Sequence, residues 1–560
     1  MRRKVLIRCD AGPIPEIGTG HLRRCLLIAE QLAARGSEVV FLTASADEVV
    51  RTIPYPCRVI PPGDAAGPLS EALAAEKPEI VVWDRLDTGE DVCRAIKAAG
   101  AILVTLDDEG PGQRLADVTI NAMVAGGDTI YKGPDYAVLP KESAQRPASA
   151  PRSARSVFVS FGGYDHGDMT ARALEALRAL GGGVQVRAAV GAATPLEPLR
   201  RFEGPTVRIF QSPPNFGELL READVALVGG GLTLIEAMAS GVPCLAWAQY
   251  DHQLRTIQRM EKQGAVVSLG GARAAEPDRL LEETRKLLDD EPRRRAMARK
   301  ARRLVDGLGL VRVRELCTVV ERLEWDSAFF GMGIAYLYPR RINEDLVRYA
   351  FRKCREDGVR CLYYLCDCHH PLSVRLAEKH GFHFVDIRLT FSRELDGPAP
   401  AAAAPAFAVR PAGEEDVPAL AAIASKAYVH SRYYFDRHFP DDICEKFYSE
   451  WVAKSVRGYA DRVFVAERDG KILGFISCKM AGAIGGAIPL VGVAEDAVGL
   501  GVGKTLVSRA LAWFREQGVS SVEVVTQGRN YAAQRLYQSC GFRTKSTELW
   551  YHRWFEEEAP

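Results

Sequence analysis

No apolar run in this 560-residue sequence approaches the 18 or more residues that cross a bilayer, which excludes an α-helical membrane span. Charge of either sign is not in excess: 73 basic side chains face 72 acidic ones, for a formal net charge of +1. That balance leaves no electrostatic footprint for nucleic acid or for an anionic membrane surface. A secretory leader is not expected, because Arg8 interrupts the start, Met1-Arg-Arg-Lys-Val-Leu-Ile-Arg8, before a long apolar stretch forms. Nor do the 13 cysteines, an odd number scattered along the chain, make the even, closely spaced set of a disulfide framework. These absences predict a cytoplasmic protein whose partners are small molecules, and they leave the oligomeric state open.

What is present is too long for one core. Short apolar runs at residues 5–9, 39–42, 80–83 and 102–106 alternate with helical patterns, the first over 22–35 and ending at Gly36. Alternation of this kind predicts a doubly wound parallel sheet. After a polar stretch at 143–156 the pattern restarts at Val157-Phe-Val-Ser-Phe161 and runs through 184–190 and 225–228 to Pro243-Cys-Leu-Ala-Trp247. Two Rossmann-like domains are therefore expected, at 1–150 and 151–320, with a ligand cleft between them. A helical stretch over 275–322 closes this half. A new α/β segment at 321–396, a Pro/Ala-rich linker at 397–406 and a last α/β domain at 407–560 follow.

Two local patterns invite comparison. Cys361, Cys366 and Cys368 with His369 and His370 hold metal-ligand residue types, but Cys-x-Cys lacks the spacing of a zinc knuckle. A buried strand explains the same residues, so no metal is predicted. The second pattern is an internal similarity: His370-Pro-Leu-Ser-Val-Arg-Leu-Ala-Glu-Lys-His-Gly-Phe382 lines up with Asn530-Tyr-Ala-Ala-Gln-Arg-Leu-Tyr-Gln-Ser-Cys-Gly-Phe542. The earlier copy has Ala377 where the later has Tyr537, and it has no glycine-rich loop. It is expected to be a degenerate half-copy that completes a substrate cleft and performs no chemistry.

Gly499, Gly501 and Gly503 stand between a strand ending near Val493 and an apolar helix. Glycines there let backbone N–H groups close on an anion at a helix N-terminus, although alone the pattern equally marks a tight turn. A strand at 522–526, then Asn530, Tyr537 and Gly541-Phe542, complete an order that resembles the GNAT acetyltransferases over residues 408–553. The resemblance implies acetyl-CoA as co-substrate. The amides at Gly499, Gly501 and Gly503, helped by Lys504, would hold its pyrophosphate. Val493 would pair with the pantetheine arm, Asn530 would contact the cofactor, and Tyr537 would protonate the departing thiolate. Val498 stands where the family commonly has Gln or Arg, so the backbone must do more of the phosphate binding.

Within the GNAT enzymes, residues 323–553 resemble the acetyltransferases of dTDP-fucosamine synthesis. The resemblance is carried by Leu323-Glu-Trp-Asp-Ser-Ala-Phe-Phe-Gly331, Ser431-Arg-Tyr433, Phe447-Tyr-Ser-Glu-Trp451 and Val456-Arg-Gly458. It places His430, Arg432 and Tyr433 near a nucleotide-linked amino sugar. No base is evident; Glu495 or a water chain is open.

In the first half, Ile17-Gly-Thr-Gly-His21 puts Gly18, Gly20 and His21 between a strand and a helix start. The helix dipole there favours a neutral histidine able to act as a base. Gly229-Gly-Gly-Leu-Thr-Leu-Ile-Glu236 is a second glycine-to-helix turn, carrying Gly231, Thr233 and Glu236. With Arg8-Cys-Asp10, Leu106-Asp-Asp108 and Ser160-Phe-Gly-Gly163, these motifs resemble the GT-B nucleotide-sugar enzymes, and among them the UDP-sugar hydrolases of pseudaminic acid synthesis. That resemblance implies His21 as base for water. Gly163, Thr233 and Glu236 would hold UDP, Glu236 through the ribose hydroxyls. The pair His252-Gln253 replaces an Asn-Gln pair, so His252 is expected in a catalytic position and Gln253 at the substrate. The fold class expected is α/β: a GT-B-like pair of Rossmann-like domains followed by a GNAT module with its half-copy. Joined, the halves imply acetylation of a UDP-linked 4-amino sugar followed by release of UDP. The alternatives are a glycosyltransferase fused to an aminosugar acyltransferase, or one half serving as a non-catalytic nucleotide-sugar binding module.

Overall fold

The computed structural model describes residues 3–12, 20–63, 66–123, 128–144, 155–181, 183–192, 194–271, 277–395 and 407–555. The expected linker at 397–406, and Gly18 with its neighbours, lie outside the described residues. The chain forms two compact units, Met1–Thr318 and Val319–Pro560.

The first unit contains two sheets. One is built from β1 (Lys4–Cys9), β2 (Glu38–Thr43), β3 (Cys57–Val59), β4 (Ile80–Asp84), β5 (Ile102–Leu106), β6 (Val118–Asn121) and β7 (Tyr131–Lys132), in the order β3-β2-β1-β4-β5-β6-β7. The other has β8 (Ser156–Ser160), β9 (Gln185–Val190), β10 (Val207–Gln211), β11 (Val225–Val228), β12 (Cys244–Ala248) and β13 (Val266–Gly271), ordered β10-β9-β8-β11-β12-β13. Every ladder in both sheets is parallel. Their strands are continuous apolar runs because helices cover both faces, as β1 and β4 with all but one residue buried illustrate. In each sheet the order reverses beside the first strand, which opens a crevice at the carboxyl ends of the strands.

The expected helical stretch 275–322 resolves into helices Pro277–Asp289, Glu291–Leu304 and Gly309–Thr318. Its last residues are not helical: β14 (Val320–Arg322) is an edge strand of the second unit. The second unit continues with β15 (Gly333–Leu337), β16 (Val359–Asp367), β17 (His383–Glu394), β18 (Ala408–Pro411), β19 (Arg462–Arg468), β20 (Lys471–Ala481), β21 (Gly485–Ile488), β22 (Val491–Val493), β23 (Ser521–Gln527) and β24 (Arg543–Trp554). They form one sheet ordered β14-β15-β16-β24-β17-β23-β21-β20-β19-β18, with β22 on β20. The half-copy and the last domain thus share a sheet. Each copy reads strand, helix, long strand: β16, helix Pro371–Lys379 and β17; then β23, helix Tyr531–Ser539 and β24. The long strands are exchanged, for β24 lies between β16 and β17 while β17 lies between β24 and β23. Cys361 and Cys366, both fully buried, face opposite sides of β16 by the period-two rule, so they serve two cores.

Because β24 supplies the partner of both β16 and β17, deleting residues 543–560 is expected to abolish the folding transition of the second unit and leave that of the first. A melting curve of the truncated chain that keeps both transitions overturns this. A milder probe is Tyr551→Ala, which empties a 2% exposed site on β24; the expected loss is about 3–5 kcal/mol by analogy with other buried aromatic truncations.

Candidate active sites

A cleft of about 600 Å³ opens in the first unit at the carboxyl ends of both sheets. Gly20, His21, Gly163, Gly231, Thr233, His252 and Gln253, all expected from the sequence, line it. His21 begins the helix Gly20–Ala33, and its Nδ1 lies 2.7 Å from Oδ1 of Asp84 at the end of β4. Asp84 is buried, and Arg24 grips it through Nε at 2.6 Å and through a second, shorter contact. The Arg24 guanidinium, with the hydrogen bond from His21, holds the Asp84 carboxyl well below its ordinary range despite the opposing push of burial. A permanently ionised carboxylate at Nδ1 fixes the tautomer, leaving Nε2 as the nitrogen for proton transfer. Sequence reasoning missed Asp84. Its signal was an acid closing the apolar run Ile80-Val-Val-Trp83, at the carboxyl end of a parallel strand.

The other motif residues of this half are partners within the network. Arg24 also binds Asp107, whose second oxygen accepts from the Met123 amide at 2.7 Å. Asp10 accepts from Arg8, Arg85 and the Ala44 amide. Asp108 ties the amides of Thr88 and Gly110, at 3.1 and 2.8 Å. Gly163 and Gly191 approach closely enough that a Cβ on Gly191 would lie 2.0 Å from the Gly163 carbonyl oxygen.

Two expected ligand groups are occupied. Gln253 Oε1 accepts from the amides of Gly230 and Gln249, at 3.3 and 3.0 Å, so it braces the glycine loop. Glu236 is 2% exposed and does not line the cleft; Arg23 and Ser143 hold its carboxylate. His252 sits solvent-exposed at the rim, its ring stacked on Tyr250 at 5.6 Å, and Tyr250 stacks on His166 at 5.3 Å. Removal from bulk water at the cleft wall, aided by Arg255, lowers the His252 pKa.

In the second unit, β21 pairs with β23 in parallel from Gly485↔Ser521 to Ile488↔Val524. The chain then shifts to β22, which stays on β20 but no longer pairs with β23. The two strands therefore part beside Val493. In the half-copy the corresponding β15 stays paired with β16 along its whole length, from Gly333↔Val359 to Leu337↔Tyr364. No wedge opens there, and the loop before its next helix carries Arg340, bound to Glu548 at 2.6 Å, and Arg341, bound to Asp367 at 2.8 Å.

Beyond Val493 the chain turns through Gly499 and Gly501, with φ of +85° and +82°, into the helix Val502–Glu516. Left-handed backbone requires glycine there, and the helix's first N–H groups lack partners inside the helix. Gly503 has a different duty: a Cβ would meet Leu536 at 3.1 Å, so it lets two helices pack. Val498 is 70% exposed, which leaves the turn's amides and the exposed Lys504 as its polar surface. Asn530 caps helix Tyr531–Ser539 by accepting from the Ala533 amide at 3.1 Å, so its carbonyl is a helix cap and not a free cofactor contact.

Tyr537 is 5% exposed, packed between Phe391 and Phe542, and its hydroxyl makes no hydrogen bond to the described residues. Burial raises its pKa, so the phenol keeps its proton at neutral pH.

Arg432 is enclosed, not on a solvated loop. Its guanidinium lies 4.1 Å from the Trp550 ring centre and 4.6 Å from those of Tyr363 and Tyr433, and it donates to the Tyr433 hydroxyl at 2.7 Å. Tyr433 itself is a core residue, and His430 is exposed. Glu495 stands exposed in the turn Glu495–Ala497 that leads to the glycine loop. A better base is Asp386 on β17, 2% exposed, whose nearest cation is Arg529 Nε at 3.7 Å. Burial pushes its pKa up to about 6. Tyr448, also buried, stacks on Tyr428 at 4.4 Å. The sequence signal was an acid between Val385 and Ile387, inside a strand of the half-copy thought silent.

Residues 424–542 match the family model for the acetyltransferase (GNAT) family, and residues 205–304 that for glycosyl transferases group 1. Spore coat polysaccharide biosynthesis protein SpsG of Bacillus subtilis is 26% identical over 316 residues, spanning 53% of this chain and 93% of the relative. The dTDP-fucosamine acetyltransferase of Escherichia coli is 33% identical over 144 residues, 25% of this chain; the match spans 61% of that relative's length. Among solved structures, MurG of Acinetobacter baumannii aligns with 56% of this chain and 99% of its own, at 16% identity and a TM-score of 0.46. No helix among the described residues is long and apolar enough to cross a membrane. The chain thus joins a GT-B-like pair of Rossmann-like domains to a carboxy-terminal domain of GNAT fold.

Proposed function

We propose that the chain is a bifunctional nucleotide-sugar enzyme of pseudaminic acid synthesis. Its second unit N-acetylates UDP-4-amino-4,6-dideoxy-N-acetyl-β-L-altrosamine with acetyl-CoA. Its first unit then hydrolyses the product to UDP and 2,4-diacetamido-2,4,6-trideoxy-L-altrose. The observation that carries the reading is the presence in one chain of a His–Asp dyad in a GT-B-like cleft and, in the second unit, of a buried aspartate and a buried tyrosine in a GNAT-like sheet whose strands part beside Val493.

In the acetyltransferase, the turn at 499–503 receives the pyrophosphate and Val493 pairs with the pantetheine arm. Asp386 takes the proton of the substrate ammonium. The freed amine attacks the thioester carbonyl, the C–S bond breaks as Tyr537 protonates the sulfur, and the proton that the new amide nitrogen sheds returns the tyrosine phenolate to its neutral form. Arg432 in its aromatic box orients the sugar. In the cleft, His21 Nε2 removes a proton from water as the oxygen attacks the anomeric carbon, and the bond to UDP breaks. Asp84 stabilises the imidazolium that results. Thr233 and the amides at Gly163 and Gly231 receive the diphosphate.

A second reading, glycosyl transfer in place of hydrolysis, is favoured by the match of residues 205–304 to group 1 glycosyl transferases. It differs only in what takes the place of water. An NMR time course with the UDP-linked 4-amino sugar and acetyl-CoA decides: acetylation followed by free diacetamido sugar and UDP is expected. Acetylation with no release of UDP unless an acceptor is added favours transfer.

Three variants test the roles. Asp84→Asn is expected to slow UDP release by about a hundredfold or more while acetylation is unchanged. Tyr537→Phe is expected to lower acetylation by a similar factor; undiminished kcat removes its role as acid. The raised pKa of Asp386 fixes a sign: the carboxylate form is the base, so acetylation rises with pH through about 6. Asp386→Asn should lose both the rate and that limb of the profile, and a limb that persists in the variant assigns the base elsewhere.

A further inference from the structure

Four arginines line the cleft of the first unit: Arg23, Arg24, Arg255 and Arg259. Arg24 is committed to Asp84 and Asp107, Arg259 to the Met123 carbonyl, and Arg255 lies 3.8 Å from Glu109. Arg23 is different, because its partner is Glu236, the carboxylate that the nucleotide-sugar reading assigns to the ribose hydroxyls. Its Nη1 lies 3.1 Å from Glu236 Oε2 and its Nη2 3.4 Å from Oε1. The guanidinium is half exposed, at 48%, whereas the Glu236 side chain is 3% exposed and also accepts from Ser143 Oγ at 3.0 Å. Arg23 therefore covers a buried anion.

The two residues belong to the two machines of the cleft. Arg23 stands two residues beyond His21 on helix Gly20–Ala33, beside the proposed base. Glu236 stands on helix Leu232–Ser240, which begins at the glycine loop 229–231. A nucleotide whose ribose hydroxyls bond Glu236 brings its diphosphate to that loop, at the helix N-terminus. It must displace Arg23 to do so, and it delivers a doubly anionic group into the space the guanidinium already borders.

We propose that Arg23 is a phosphate-binding residue that exchanges partners when the nucleotide arrives. The ribose hydroxyls donate to Glu236, and the released guanidinium pairs with the diphosphate, where it neutralises the charge that develops on the departing nucleoside diphosphate. No charge is left buried and unpaired at either end of the exchange, which is what makes it accessible: stripping Glu236 of a cation without replacing its bonds is strongly unfavourable. A bidentate guanidinium suits phosphate oxygens as well as it suits a carboxylate. The inference rests on the nucleotide-sugar reading of this cleft and adds to it the residue that couples ribose recognition to leaving-group stabilisation.

The exchange predicts effects of opposite sign on two ligands. Uridine breaks the Arg23–Glu236 pair but carries no phosphate to re-engage the arginine, whereas UDP does both. Titration calorimetry of the full chain with each ligand, for wild type, Arg23→Ala and Arg23→Lys, reads this out. In Arg23→Ala, UDP is expected to bind about tenfold or more weakly, by the loss of charge-assisted bonds, while uridine binds more tightly than to wild type. Arg23→Lys should keep part of the preference for UDP, and melting curves check that each variant is folded. Weakening of both ligands by the same factor, or weaker uridine binding in Arg23→Ala, overturns the exchange while the nucleotide reading stands. Wild-type protein that binds neither ligand overturns the nucleotide reading itself, and the exchange with it.

Discussion

Strand β24 has no edge. It bonds β16 on one side through seven residue pairs, Cys361↔Trp554 to Asp367↔Glu548, and β17 on the other. Since β17 in turn bonds β23, neither copy of the repeated strand–helix–strand segment completes a sheet without the other. The second unit is therefore assembled around a reciprocal exchange, in which each copy contributes its longest strand to its counterpart. Flanking each long strand on both sides over much of its length pairs backbone groups that an edge would leave open to association.

That exchange also gives a role to a copy that has no glycine loop of its own. A GNAT wedge needs two parallel strands that start together and then separate, and separation leaves backbone groups for a ligand to bond. Holding one pair open demands a rigid neighbour. β15 and β16 stay zipped where β21/β22 and β23 part, so one half of the sheet is closed and the other is available. The closed half is not inert. β17 carries Asp386 and Arg388 toward the shared face, and β16 carries Tyr363 against Arg432. The half-copy thus supplies walls and the candidate base to a site whose cofactor turn belongs to its counterpart.

Much of this was legible in the sequence, and what was not failed for identifiable reasons. Parallel, buried strands announce themselves as apolar runs, so β1, β4, β5, β8, β11 and β12 stand close to where the pattern places them. The glycines at 499 and 501 mark a turn that only left-handed backbone can make. Gly503, Asn530, Gln253 and Glu236 show the limit of motif reading: each side chain or missing side chain sits where a family would use it, yet here each is engaged by packing, a helix cap, a loop brace or an ion pair. A motif fixes position, and partners at long sequence separation fix occupancy. Asp84 lies 63 residues from His21, and Arg23 lies 213 from Glu236, separations that no local pattern encodes. Residues 320–322 were misread for a related reason. Their edge-strand pairing with β15, just past the boundary between the units, outweighs the helical periodicity that precedes them.

The two buried aspartates divide the chemistry by their surroundings. Both end in protein interior, at 1% and 2% exposure, and desolvation pushes both toward the neutral acid. Around Asp84, Arg24 binds both carboxylate oxygens and His21 binds one of them, so charge overcomes burial and the group stays ionised. Such a carboxylate is too weak a base to accept a proton, and its use is to orient the imidazole and to stabilise positive charge on it. Around Asp386 the nearest guanidinium nitrogen stands at 3.7 Å, beyond a hydrogen bond, and burial wins. That carboxyl titrates near neutrality, where a group both accepts and releases protons readily. In the proposed function the same side chain type thus serves as an orienter in one unit and a base in the other, and the number and distance of the cations around it make the difference.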